Sequence, residues 1–453
     1  FPKVESQVGE LVALAREHDL CLIPYGGGTN VSEALKCQNE EERIIVSVDV
    51  CGLNKILWID PVNHMACIQA GAVGRNIVAQ LAEHGFIMGH EPDSVEFSTL
   101  GGWIATHASG MKKNKYGNIE DIVLDFRMVT AEGVIERVGL SPRESTGVDL
   151  RKTAFGSEGN LGFITQATVK LFPLPEVQRY GSVLFKDFDK GLDFLYELRR
   201  TGCLPASVRL VDNVQFQFSM ALKPAKAGAE ALKSKLEKIY ATKLRGYSPD
   251  QMVACTIVFE GSEAEVRNQE RQLYGIAEKH GGMKAGASNG EKGYQLTYSI
   301  AYIRDFVMNH YVLAESFETS VAWSQVRELC ERVKERVHAE HIALGLPGLP
   351  FISCRVTQTY DTGVCVYFYL AYYYKDVDKP SEIYSKLEHA ARDEVLLRGG
   401  SLSHHHGVGK LRSTFMERIE SPDLSRLKLK VKESMDPGNV FGANNHMAPS
   451  QAN

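Results

Sequence analysis

Val4, Val8, Leu11 and Ala15 recur at the spacing of one helical face, and the apolar run Leu20-Cys21-Leu22-Ile23 that follows ends at Pro24, so the chain is predicted to open with a helix feeding a short buried strand. Further strands are predicted at Arg43 to Val48, Lys55 to Ile59, Met65 to Gln69 and Ile122 to Met128, separated by glycine-containing turns, with one helix over Gly74 to His84. This first part is α/β. Phe163 to Leu171 adds a strand before Pro173 and Pro175 interrupt the pattern, which puts a domain boundary near residue 175. Beyond it, strands at Gly181 to Phe185, Ala206 to Val211, Met252 to Phe259 and Val364 to Tyr373 alternate with helical stretches such as Val326 to Val337 and Pro380 to Leu397, an α+β pattern. Ala225 to Tyr240 carries Leu232, Leu236 and Tyr240 on one helical face and reads either as a solvated surface helix or as a membrane-touching one.

Composition narrows the class. With 453 residues, 44% of them hydrophobic and 24% charged, the chain is an ordinary globular protein long enough for two domains, one of them large. A formal net charge of −5, dispersed along the chain, argues against a nucleic-acid binder and leaves a soluble enzyme as the default. The nine cysteines are scattered without a CxxC pair, which suggests neither a zinc cluster nor a secreted disulfide framework and implies a reducing compartment. No apolar run approaches the roughly 18 to 20 residues of a membrane span, so any membrane contact is expected to be peripheral. No signal peptide opens the chain, the terminal Gln451-Ala452-Asn453 is not a Ser-Lys-Leu-type peroxisomal address, and the start at Phe1 leaves room for a targeting segment ahead of it.

Three glycine-rich segments carry the candidate chemistry. Pro24-Tyr25-Gly26-Gly27-Gly28-Thr29-Asn30 follows the first strand, a turn whose backbone amides can approach an anion closely. It is neither a Walker loop nor a GxGxxG fingerprint, and alone it could be a plain turn. Asp93-Ser94-Val95-Glu96-Phe97-Ser98-Thr99 runs into Leu100-Gly101-Gly102-Trp103, with Thr106-His107-Ala108-Ser109 downstream, and Glu158-Gly159-Asn160-Leu161-Gly162-Phe163-Ile164 forms the third. Together they suggest a long ligand, because a pyrophosphate needs small residues and amide donors while a flavin ring needs close backbone approach and hydroxyls.

The densest titratable cluster is His404-His405-His406, inside Ser401-Leu402-Ser403-His404-His405-His406-Gly407. Imidazole is suited to moving protons near neutral pH. In extended backbone His404 and His406 would share a face and His405 the other, so an ion would meet at most two of them and need distant partners. The readings are a metal site, a solvated run, and acid–base work at a bound ligand; no metal is assigned. Tyr367 and Tyr369 share one face of the aromatic strand Val364-Cys365-Val366-Tyr367-Phe368-Tyr369, where a plain strand core is the simpler account.

The loop PYGGGTN, the run GHEPDSVEFSTLGGWIATHASGMKKNKYGNIED and the block GSEGNLGFITQATVKL resemble the FAD-binding domain of the vanillyl-alcohol-oxidase group. The run from Lys112 to Asp121, Ser207-Val208-Arg209-Leu210 and the His triplet narrow the resemblance to the alkylglycerone-phosphate synthases, over nearly the whole chain. It implies an α+β flavoprotein of two domains: an FAD-binding domain of the PCMH type over residues 1–175, a cap or substrate domain over 176–400, and a C-terminal segment, 401–453, that returns to the FAD domain at Met435 to Gly442. The implied FAD contacts are the residues named above in Pro24 to Asn30, Asp93 to Thr99, Thr106 to Ser109 and Glu158 to Ile164. FAD is expected to be non-covalent, although some relatives tether it through a His, for which His90 and His107 are the positions to watch.

The resemblance also implies the roles of other residues. Tyr367 is placed as proton donor and acceptor, with Tyr369 as the fallback if the register is displaced. Arg304 is placed on the substrate phosphate, though the adjoining Asp305 offers it an ordinary local ion pair, and Arg209 holds the flavin pocket and His loop together. The tail Ala443 to Met447 matches a segment the family needs, but Asn444 stands where some members have Arg. The implied reaction joins flavin N5 to C1 of a 1-acyl-glycerone 3-phosphate, expels the fatty acid and accepts a long-chain fatty alcohol, with no net redox change; the His triplet orients the leaving carboxylate and activates the alcohol. A homodimer on the lumenal face of the peroxisomal membrane is implied as well. The rivals are an FAD-dependent oxidoreductase of the same fold acting on a 2-hydroxy acid or alcohol, and a non-catalytic lipid- or nucleotide-binding protein.

Overall fold

The computed structural model describes residues 1–222 and 239–446. The expected helix over Ala225 to Tyr240 lies, up to residue 238, outside the described residues, as does Met447 of the tail. The chain divides into two units, residues 1–174 with 405–453, and residues 175–404.

In the first unit the opening periodicity becomes the helix Glu5–Glu17, whose Val8, Val12 and Ala15 pack on Leu22 of β1 (Cys21–Tyr25) and Val48 of β2 (Ile45–Asp49). β1 and β2 pair in parallel. The next strands are β3 (Ile56–Asp60), β4 (Met65–Gln69), β5 (Phe86–Ile87), β6 (Val123–Val129), β7 (Val134–Ile135), β8 (Phe163–Lys170) and β9 (Phe172–Pro173). Among the described residues β3-β4-β8-β6-β7 form an antiparallel sheet in that order. The helices Gly74–Glu83 and Leu100–Ala105 cover it, setting Ile77, Leu81, Leu100 and Ile104 against Ile68, Ala167 and Val169.

The C-terminal segment is stitched into this unit by main chain and charge. Leu22 N donates to Val440 O at 2.7 Å, and Val440 and Phe441 join the core that holds Val8 and Phe163. Lys432, on the helix Pro422–Met435, is buried and donates to Asp436 Oδ2 at 2.5 Å, Asn160 O at 2.8 Å and Phe441 O at 3.0 Å. Asp436 in turn accepts from the amides of Val440 and Phe441. The buried pair therefore fixes the turn by which the chain re-enters the core of the first unit.

The second unit is built on β10 (Val177–Phe185), β11 (Ser207–Val211), β12 (Val253–Gly261), β13 (Met283–Lys284), β14 (Val312–Ala322), β15 (Phe351–Thr359) and β16 (Gly363–Tyr373). Among the described residues they form one antiparallel sheet in the order β13-β10-β12-β11-β15-β16-β14. One face is apolar: Val208, Leu210, Cys255, Ile257, Phe317, Cys354, Val356, Val366 and Phe368 meet residues of the helices Phe188–Arg200, Glu263–Lys279, Val326–Ala343 and Pro380–Leu397. The opposite face carries Ser182, Arg209, Glu318, Ser353, Arg355, Thr357 and Tyr367, all buried as well. The helix Ala287–Met308 lies close to that face, near enough that a Cβ on Gly290 would stand 2.2 Å from the Gly181 carbonyl oxygen.

The alternation pattern missed β14 and β15. Their sequences, VLAESFETSVA and FISCRVTQT, place charged and hydroxyl side chains on a buried face, which erases the contrast between apolar and polar positions on which strand prediction depends. The second unit also ends at His404 rather than at residue 400, because Ser401 stays bonded to β14: Ser401 N donates to Ser320 O, and Ser320 N to Ser401 Oγ, both at 2.8 Å.

Replacing Lys432 by Met strands a buried Asp436 carboxylate, and the expected cost is about 3–5 kcal/mol of apparent stability. Urea denaturation of the purified protein at neutral pH measures it; an unchanged midpoint would show that the ammonium is not what compensates Asp436.

Candidate active site

In the first unit the glycine loops converge. Gly27 lies so tightly against the segment Asp93 to Thr99 that a Cβ would stand 2.2 Å from Phe97 O. Gly159 approaches Pro24, Glu158 N donates to Ala105 O at 2.8 Å, and Gly156 N donates to Ile104 O. The expected cofactor residues of all four stretches are thus neighbours within one unit. Their side chains are largely committed: Thr99 Oγ1 caps the helix Leu100–Ala105 at Gly102 N, Thr106 Oγ1 donates to Gly102 O, Ser98 Oγ accepts from Trp103 Nε1, Asn30 Oδ1 accepts from Ala34 N, and Ser109 bonds Asn118. Leu161, Phe163 and Ile164 belong to the cores. What these loops offer a ligand is mainly backbone.

Among the described residues, several buried groups beside the loops lack hydrogen bonds: both ring nitrogens of His90, Asn160 Nδ2 and Ser32 Oγ. A cluster of close-approach backbone with orphaned buried polar atoms fits a polar dinucleotide such as FAD. His90 packs 4.8 Å from the Trp103 ring, and burial lowers its pKa from near 6.5 to about 3, so it is neutral at physiological pH. His107, in the left-handed region at φ 53°, is half-exposed and faces Glu120 at 3.3 Å. Sequence reasoning assigned Glu158 only to the cofactor, but its carboxylate accepts from Val408 N and Gly409 N, both at 2.7 Å, and lies 3.3 Å from His446 Nδ1. It anchors the backbone just after the His triplet.

In the second unit Arg209 and Tyr367 share the polar face of the sheet. Antiparallel register sets Arg355 of β15 opposite Tyr367 of β16, and Tyr367 opposite Glu318 of β14. The Arg355 guanidinium lies over the rings of both Tyr367 and Tyr369, at 5.0 and 5.1 Å. Arg209 lies over Tyr294 at 5.7 Å. Glu318, fully buried, accepts from Ser403 Oγ at 2.7 Å and His404 N at 2.5 Å, and His404 Nε2 meets the Tyr360 hydroxyl at 2.6 Å. Arg304 is elsewhere, on the helix Ala287–Met308, where it donates to Asp305 at 3.2 Å and Glu315 at 3.0 Å. That is an exposed pair of modest worth.

The His triplet is not extended. Its backbone bends through His404, His405 and His406 and continues through Gly407 and Gly409, both at positive φ, so the alternation argued from an extended chain does not apply. The cause is tertiary: Glu318 fixes the backbone at His404 and Glu158 fixes it at Val408 and Gly409. The rings of His405 and His406 meet edge to face at 4.8 Å.

Residues 1–139 match the family described as FAD binding domain, and residues 174–445 the family described as FAD linked oxidases, C-terminal domain. The chain is 46% identical to alkyldihydroxyacetonephosphate synthase of Caenorhabditis elegans over 98% of its own length and 75% of that protein's, and 33% identical to the enzyme of that name from Dictyostelium discoideum over 97% and 71%. A solved structure of alkyldihydroxyacetonephosphate synthase superimposes with a TM-score of 0.81 at 31% identity, covering 97% of this chain and 74% of that one. The chain belongs to the alkyldihydroxyacetonephosphate synthase family.

Alkyldihydroxyacetonephosphate synthase is another name for alkylglycerone-phosphate synthase, so the resemblance drawn from the motifs holds, as do the flavoprotein fold and FAD as cofactor. Arg355, Glu318, Tyr360 and Gln358 escaped the sequence reading. Arg355 and Glu318 lie on the two strands that pattern did not find, and nothing in their local sequence distinguishes them from surface residues.

His90 generates a pH prediction. Its folded pKa lies below its unfolded one, so the stability it contributes is complete above about 6.5 and is lost as pH falls toward about 3. His90→Leu is expected to flatten the fall in melting temperature between pH 6.5 and pH 4; a fall as steep as in the wild type would mean that other groups govern acid unfolding.

Proposed function

We propose that this chain exchanges the acyl group of a 1-acyl-glycerone 3-phosphate for a long-chain fatty alcohol, using non-covalently bound FAD and releasing a fatty acid. One C1–oxygen bond breaks and another forms, the alcohol proton passes to the carboxylate or solvent, and electrons balance without an oxidant. The observation that carries this reading is the buried row of Arg355, Tyr367 and Glu318 on the polar face of the sheet, in a member of the synthase family.

The backbone of Gly26 to Asn30, Asp93 to Thr99, Thr106 to Ser109 and Glu158 to Gly162 would hold the cofactor. When bound, FAD supplies the electron-rich ring that activates C1. Tyr367 takes a C1 proton as phenolate and gives it back as phenol, with the Arg355 guanidinium over its ring. His404, His405 and His406 orient the leaving carboxylate and activate the alcohol. Arg209 keeps the polar face in place through Tyr294, and Arg304 would exchange Asp305 and Glu315 for the phosphate oxygens. The family resemblance supports a homodimer and a peripheral seat on the lumenal face of the peroxisomal membrane. Among the described residues no helix is long and apolar enough to cross a membrane.

The purified protein is expected to release its FAD on acid or heat denaturation, leaving a colourless washed precipitate; flavin retained on the precipitate would exclude non-covalent binding. Alcohol incorporation without oxygen consumption tests the reaction itself, since an oxidoreductase would need an electron acceptor. Tyr367→Phe is expected to keep the fold and the flavin spectrum while alkyl product and washout of the C1 hydrogen fall by about 10² to 10⁴. Washout at the wild-type rate removes Tyr367 from proton transfer, and a defect confined to Tyr369→Phe moves the role two residues along the strand.

A further inference from the structure

We propose that Arg412 is a positioning residue for the His triplet: together with Glu158 it holds the peptide group between Gly407 and Val408 in one orientation, and so fixes where His405 and His406 stand. The inference rests on the assignment of the triplet to acid–base work made above. Arg412 is 2% exposed, and its Nη1 donates to Gly407 O at 2.9 Å. Glu158 Oε1 accepts from Val408 N at 2.7 Å. The Gly407 carbonyl and the Val408 N–H belong to one planar peptide unit. A buried guanidinium therefore meets the negative end of that peptide's dipole, and a buried carboxylate meets the positive end. Turning the peptide over would set its carbonyl against Glu158 and its N–H against Arg412, exchanging two charge-assisted hydrogen bonds for two repulsions in a site of low dielectric.

Both anchors belong to segments that adjoin the glycine loops. Arg412 Nη2 donates to Val31 O at 3.2 Å, one residue past Asn30 of the first loop, and Ser32 O accepts from Lys410 N at 3.0 Å and Leu411 N at 3.3 Å. Glu158 opens the third loop, and its other carboxylate oxygen accepts from Gly409 N at 2.7 Å. A single planar fork thus spans two main-chain carbonyls from distant parts of the chain, which an ammonium on a flexible stem reproduces poorly. Gly407 is required at this turn: its φ is 82°, and a Cβ there would stand 2.2 Å from Glu158 Oε1. His406 directly precedes Gly407, so turning this peptide moves the backbone that carries the imidazoles.

The test uses the full-length, FAD-loaded protein, with rates taken per bound flavin. Arg412→Lys keeps the charge and removes the fork; kcat for alcohol incorporation is expected to fall about 10- to 100-fold with KM for the acylated substrate unchanged. Amide hydrogen exchange at Val408 and Gly409 should quicken about 10-fold in the same variant. An Arg412 that served stability alone would lower the melting temperature and leave kcat per flavin as it is in the wild type. Gly407→Ala disturbs the same peptide from the Glu158 side and should move both readouts in the same direction, so it stands in if Arg412→Lys does not fold. A wild-type kcat, or wild-type exchange at Val408 and Gly409, in folded Arg412→Lys overturns the proposal. Wild-type kcat in both His405→Gln and His406→Gln overturns instead the assignment on which it rests.

Discussion

Pleat alternation in the seven-stranded antiparallel sheet is the constraint on which the chemistry of the second unit depends. Each strand that sends apolar side chains to the helix-covered face must send the intervening residues to the other, and antiparallel register decides which of these meet. Val356, Val366 and Phe317 face the helices. Arg355, Tyr367 and Glu318 are therefore gathered on the opposite face as direct cross-strand neighbours. A one-residue slip of β16 would send Tyr367 into the apolar layer and Phe368 onto the polar face. The row of Arg355, Tyr367 and Glu318 is thus as well specified as the core itself, because the same register produces both.

Buried carboxylates do the second piece of organising. Glu318 accepts main-chain and hydroxyl hydrogens at Ser403 and His404, and Glu158 accepts main-chain hydrogens at Val408 and Gly409. Hydrogen bonds from backbone amides compensate an ionised group removed from water, and each pins a loop that has no regular secondary structure of its own. The imidazoles between these points are consequently presented by a constrained backbone, although the segment Gly399 to Gly409 is rich in glycine.

On the cofactor side the requirement is different. The loops around Gly27, Phe97 and Gly159 approach one another at backbone distance, and their hydroxyl and amide side chains cap turns and helices. That leaves main-chain amides as what these loops would offer the cofactor, with the orphaned buried atoms of His90 and Asn160 beside them.

Much of this was legible in the chain. Helical and strand periodicity located the helix Pro380–Leu397, β4 and the aromatic strand β16, and put the boundary between the units near residue 175, because each of these segments contrasts apolar with polar positions or ends at proline. The glycine loops and the His triplet were visible as composition alone, since glycine and imidazole carry their chemistry in their type. Tertiary structure decided what composition could not encode. It placed Arg355 and Glu318 beside Tyr367, through strands whose buried faces are polar and so carry no amphipathic signal. It made Glu158, expected only as a cofactor contact, also the anchor of a loop some 250 residues away in sequence. It bent a triplet that local reasoning takes as extended, because the hydrogen bonds that bend it come from carboxylates distant in the chain, and only folding brings those donors and acceptors within reach.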